Sequence, residues 1–160
     1  MTLRFADVDV DRARTRVNLF YRFAPNFQAG LEWNPGEREL GPVANWILAP
    51  ESKHRPMTTV GTSSDRIFSP RGTQAYYATL AKSLPWTGSS AYVSFSYSEW
   101  EDTLLVPFGS TFEVARQWDL TGMHDGRNTH ALVTYKMPEA NVSFLMIKMR
   151  YPGISLGFGF

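Results

Sequence analysis

Along much of the chain, apolar and polar side chains alternate with a period of two rather than 3.6. From residue 15 to 23, Val17, Leu19, Tyr21 and Phe23 alternate with Arg16, Asn18, Phe20 and Arg22. Pro25-Asn26 marks a turn, after which Phe27, Ala29, Leu31 and Trp33 alternate with Gln28, Gly30, Glu32 and Asn34. This predicts a hairpin with one apolar and one polar face, stopped by Asn34-Pro35-Gly36. The rhythm returns where Ala91, Val93, Phe95 and Tyr97 face away from Tyr92, Ser94, Ser96 and Ser98. It returns again in Ala131, Val133, Tyr135 and Met137 against His130, Leu132, Thr134 and Lys136. Finally, Ile154, Leu156, Phe158 and Phe160 alternate with Ser155, Gly157 and Gly159.

Between these segments the signals are shorter. Residues 43–49 and 57–63 read as strands bounded by Pro, and 64–72 as a loop. Residues 73–84 contain several Ala, but Tyr76, Tyr77 and Thr79 favour a strand, ended by Pro85. Residues 111–116 and 118–124 are further strands, 125–128 a turn, and 142–151 one long strand. The sum is ten to twelve strands, with no linker and no sequence repeat, so residues 1–160 are expected to form a single all-β domain.

Which face looks outward decides the class. A soluble β-protein puts its apolar face inward and a face rich in charges toward water. Here the polar face is mostly small and uncharged, as at Gln28, Gly30, Ser94, Ser96, Ser98, Ser143, Ser155 and Gly157. Charged residues are 19% of the chain, below the roughly 25% of an average soluble domain. Small hydrogen-bonding residues suit the interior of a closed barrel, which leaves the apolar set facing lipid. Closure would pair every backbone group, the condition for β-structure in a bilayer. Trp33, Trp86, Trp100 and Trp118 fall at expected strand ends or in turns, as an interfacial girdle requires. Ordinary core aromatics at the ends of a sandwich are the competing reading.

The last strand, Ile154-Ser155-Leu156-Gly157-Phe158-Gly159-Phe160, resembles the terminal strand of bacterial outer-membrane β-barrel proteins. In that class an aromatic final residue, with an apolar residue two before it, is read by the barrel-assembly machinery. Phe160 and Phe158 match those positions, whereas Ser155 occupies the place of the usual upstream glycine. The resemblance implies an antiparallel up-and-down transmembrane β-barrel in the bacterial outer membrane. It also implies the lipid bilayer and the assembly machinery as partners. Residues 1–7 carry no signal-peptide features, so an export signal is expected to have been removed. At about 9–11 residues per membrane strand, 160 residues accommodate ten or twelve strands with short connections, or eight with long ones.

Composition removes other classes. Cysteine is absent, so there is no disulfide framework and no thiolate metal site. A net charge of +1 speaks against a nucleic-acid binder. The polar face carries a few charges, Arg16, Arg22, Glu32 and Lys136, with Arg150 a further candidate; these are expected to face the lumen as ion pairs or as the lining of a narrow channel. Three clusters invite chemistry. His124, Asp125 and His130 have the residue types of a two-His, one-carboxylate metal site, if the two rings sit opposite each other across a hairpin. A polar hairpin tip is the simpler account, and no cofactor is expected. Ser63, Ser64, Asp65 and Arg66 with His54 offer hydrolase residue types without a hydrolase motif. Glu99, Glu101 and Asp102 pair carboxylates beside Trp100, a pattern that an acidic loop explains.

The leading expectation is therefore a small outer-membrane barrel with a structural, narrow-pore or adhesive role and no enzymatic activity. A soluble barrel or sandwich binding an apolar ligand or a glycan is the alternative. A lipid-modifying barrel enzyme is third.

Overall fold

The computed structural model describes residues 1–9, 14–65, 68–86 and 88–159. Thirteen strands lie among the described residues: β1 (Thr2–Ala6), β2 (Thr15–Ala24), β3 (Phe27–Asn34), β4 (Glu39–Ala49), β5 (Met57–Ser64), β6 (Gln74–Ser83), β7 (Ser90–Ser98), β8 (Thr103–Leu105), β9 (Phe108–Ala115), β10 (Trp118–His124), β11 (Thr129–Lys136), β12 (Ala140–Ile147) and β13 (Tyr151–Phe158). Every pairing is antiparallel, and each strand neighbours the next in the chain except β8 and β9, which do not pair with each other. β1 pairs with β13, and β6 with β7, so the sheet closes on itself. β8 and β9 share one position beside β7: β8 pairs with residues 96–98 and β9 with residues 90–93. The break falls at Val106-Pro107, where proline has no N–H to give the ladder, but the Pro107 carbonyl still accepts the Ser94 N–H at 2.7 Å. The result is a closed twelve-position barrel. That is the upper of the two strand counts the sequence favours, and it overturns the alternative of eight.

Two rows of cross-strand partners show how the sequence period becomes a wall. Trp118, Tyr135, Val142, Leu156, Leu3, Val17, Trp33 and Leu40 are successive neighbours from β10 round to β4, all on the outer face. The adjoining row, Lys136, Asn141, Gly157, Thr2, Asn18, Glu32 and Gly41, lies wholly on the inner face. The outer row starts at the first residue of β10, at one rim, and ends near the start of β4, at the other. This climb is the strand tilt that closure demands.

Three expectations are corrected. Residues 142–151 are two strands, not one: β12 ends at Ile147 and β13 begins at Tyr151. Between them Lys148 and Met149 both adopt φ 53°, and the Arg150 N–H closes the turn on Ile147 O at 3.0 Å. A mirror-image turn of this kind normally announces itself by Gly or Asn, and here neither is present. β1 and β8 are the other two additions; each is short, and each is recruited by long neighbours.

The interior is polar rather than oily. Glu32 and Ser98 are each 1% exposed, and Asn34, Glu39, Thr59, Ser94 and Ser143 are buried with them. Leu19 on the outer wall is 58% exposed and Phe144 66%. Hydroxyl pairs line the lumen across neighbouring strands: Thr79 with Ser94 at 2.8 Å, Thr111 with Thr121 at 2.9 Å, and Thr134 with Ser143 at 2.8 Å. The small apolar cluster of Ala6, Val8 and Ile147, backed by Phe68, Leu145 and Tyr151, sits at the rim where β1 ends.

Candidate functional site in the lumen

The inward period of β2 and β3 brings Arg16 and Glu32 together. The Arg16 guanidinium forms an ion pair with Glu32 Oε2 and also donates to Ser64 Oγ at 3.0 Å. Glu32 Oε1 accepts the Ser64 hydroxyl and, at 3.2 Å, the Asn34 side-chain amide. Asn34 donates in turn to Glu39 Oε2 at 3.4 Å, and Glu39 Oε1 accepts the Gly72 N–H at 2.6 Å. This network ties β2, β3, β4 and β5 to Gly72, ahead of β6. Asp65 extends the polar lining: its Oδ2 accepts the Ser98 hydroxyl at 2.5 Å and the Trp100 N–H at 3.3 Å.

A second polar group stands at the β10–β11 hairpin. Asp125 Oδ1 accepts the N–H groups of Arg127 at 2.9 Å and Asn128 at 2.7 Å, the side-chain turn that builds this loop. Its Oδ2 meets His130 Nε2 at 3.0 Å. The Lys148 N–H donates to His130 Nδ1 at 3.2 Å, so Nδ1 is the acceptor and Nε2 carries the proton given to Asp125. Burial alone would push the Asp125 carboxyl up, but the His130 hydrogen bond and the Asn128 and Arg127 N–H groups hold it well below the usual carboxylate range. Both ring nitrogens of His130 are occupied, which leaves none to serve as a general base.

Between the two groups lies a cavity of about 310 Å³. Arg4, Arg16, Ser63, Ser96 and Tyr77 contribute its polar lining, and Met123, Leu132, Leu145 and Ile147 its apolar side.

The remaining sequence candidates distribute as follows. Lys136 stands on the inner face with Nζ 2.8 Å from Asp119 Oδ1 and 3.3 Å from Glu113 Oε2. Arg22 lies opposite Gln28 near the other rim, beside a cavity of about 100 Å³ lined also by Asn45 and Ile47. Arg150 is exposed in the β12–β13 turn, 5.2 Å from the Tyr151 ring, and not in the lumen. Phe158 is on the outer face of β13; Phe160 and Arg66 lie outside the described residues.

The metal constellation is not assembled. His124 pairs with Thr129, and Met123 with His130, so the two histidines point to opposite faces of the wall. No cluster of three potential metal ligands occurs among the described residues. Nor do the hydrolase residue types meet: His54 is exposed in the connection after β4, at the opposite rim from Ser63, Ser64 and Asp65. The acidic trio is divided among separate partners. Glu99 accepts from the Gln74 N–H and the Tyr76 hydroxyl, Glu101 pairs with Arg127, and Asp102 accepts from the Tyr97 hydroxyl.

Sequence reasoning missed Arg4 and Glu39, and it named Asn34 only as a polar-face residue and Asp65 only as a hydrolase residue type. Arg4 was legible: Thr2, Arg4 and Ala6 alternate with Leu3 and Phe5, the period of a short strand. No protein family, curated protein or solved structure matches this chain. Its function is therefore argued from geometry.

Proposed function

We propose that this protein is a β-barrel of the bacterial outer membrane, with its apolar wall in lipid and a narrow polar lumen for small solutes. The observation that carries this reading is the inversion of polarity. Large apolar side chains are exposed all round the outside, from Leu19 and Leu31 through Phe95 and Leu120 to Phe144 and Ile154, while Glu32, Asn34 and Ser98 are buried within. A patch of that extent is untenable in water and is what a hydrocarbon solvent requires. The long strands, eight to eleven residues as in β3 and β4, tilted by about 40°, raise a wall ~20–28 Å tall, which brackets the ~25 Å apolar band of such barrels. Exposed tryptophans mark both rims: Trp33 and Trp100 at one, Trp46, Trp86 and Trp118 at the other.

The two- and three-residue connections after β2, β9, β11 and β12 offer little surface beyond the wall, which favours passage over adhesion. The bilayer and the barrel-assembly machinery are the partners that accompany this reading, with Phe158 on the outer face as part of the recognised strand. The test is folding from urea into detergent or liposomes, followed by electrophoresis without boiling. A faster-migrating band that reverts on boiling is expected only when lipid or detergent is present. A compact monomer that forms in plain buffer would overturn the proposal.

A further inference from the structure

Arg4 is a luminal cation with no carboxylate partner among the described residues. Arg4 stands on the inner face of β1, directly opposite Arg16 on one side and Ser155 on the other. Like charges in opposed positions repel, and Arg16 is already matched by Glu32. Arg4 makes no hydrogen bond or ion pair among the described residues, and its Nε is buried without a partner. Arg4 as a whole is half-buried and borders open space, so its guanidinium is placed to take a partner.

Arg4 lines the 310 Å³ cavity together with Asp65 and Asp125, neither of which pairs with Arg4. Asp65 is held by Ser98 and Trp100, and Asp125 by His130 and two backbone N–H groups. Arg4 has no carboxylate partner of its own, and a ligand with a single negative charge supplies one. A doubly charged anion would leave an excess beside Asp65 and Asp125. The planar guanidinium matches a carboxylate bidentately, and Met123, Leu132 and Leu145 on β10, β11 and β12 give the cavity an apolar stretch of wall. The volume is at the lower end of the ~300–1,000 Å³ of ligand pockets, which suits a short acid rather than a fatty acid. We infer that the luminal cavity binds a small organic monocarboxylate, its carboxylate on Arg4 and its hydrocarbon body against Met123, Leu132 and Leu145. This deepens the proposed function and rests on it for the route by which a solute reaches the lumen.

The experiment titrates butyrate, with butyramide as its uncharged counterpart, into the folded barrel in detergent, read by saturation-transfer NMR. Folding is scored separately by migration without boiling, so failure of the membrane reading is visible apart from failure of the site. Saturable butyrate binding is expected, with none for butyramide and at least a tenfold loss in Arg4→Gln. Arg4→Gln is also expected to raise the unfolding midpoint, because it removes an unpaired charge facing Arg16. Equal binding of butyrate and butyramide, or of butyrate to both chains, would overturn the inference. Displacement of butyrate by equimolar chloride or phosphate would overturn the carboxylate assignment. Should the variant not fold, the butyrate–butyramide comparison on the unaltered chain decides alone.

Discussion

Glu32 and Arg16 stand on neighbouring strands with both side chains turned inward, and each depends on the other. Removing one partner of a buried pair strands the remaining charge, at a cost of about 3–5 kcal/mol. Glu32→Ala is therefore expected to lower stability by about 3 kcal/mol in urea titrations of the detergent-folded barrel, while the double change with Arg16→Gln costs much less. Asp125 acts by a different route. Its carboxyl is held below the value it has in the unfolded chain. Its contribution is thus full above about pH 4, near the carboxyl's unfolded value, and is lost as pH falls further. Asp125→Ala is expected to cost about 1–2 kcal/mol near neutrality and to flatten the acid limb of the stability profile. An unchanged acid limb would show that the hairpin does not depend on this carboxylate.

At the scale of the elements, legibility follows local punctuation. β2 and β3 are visible because Pro25-Asn26 separates two clean alternations. β12 and β13 run together in the sequence because Lys148 and Met149 turn the chain without Gly, Asn or Pro. Left-handed backbone at a non-glycine residue costs about 1 kcal/mol, and pairing of Ile147 with Tyr151 beside it supplies the compensation. Met149→Gly is expected to stabilise the barrel by about 1 kcal/mol, read as a higher urea midpoint. β8 escaped notice for another reason: three residues carry too little alternation to be recognised, and only β7 beside them makes them a strand.

For the molecule as a whole, the decisive variable is the solvent on each side of the wall. Phe144 lies mid-strand on the outer face, and Ser94 on the inner face is 5% exposed, hydrogen-bonded to Thr79. Phe144→Arg is expected to cost about 2–4 kcal/mol for folding into liposomes, as a charge near the bilayer midplane does, and almost nothing at a water-facing surface. Ser94→Leu is expected to cost about 1–3 kcal/mol by overpacking the lumen. Unfolding free energies of the two variants in the same liposomes check both. A tolerated Phe144→Arg together with a tolerated Ser94→Leu would invert the assignment of faces.

The alternation of side chains by itself determined the all-β class, the division into apolar and polar faces and the inward places of Arg16, Glu32 and Lys136, because a strand's side-chain period is a local property. Closure of the barrel decided the rest. It set the strand count, put His124 and His130 on opposite faces, and placed His54 at the far rim from Ser63. It also brought Arg4 beside Arg16 across a pairing of β1 that no local signal specifies. Those relations depend on register and tilt around the whole circumference, and they exist only once the last strand meets the first.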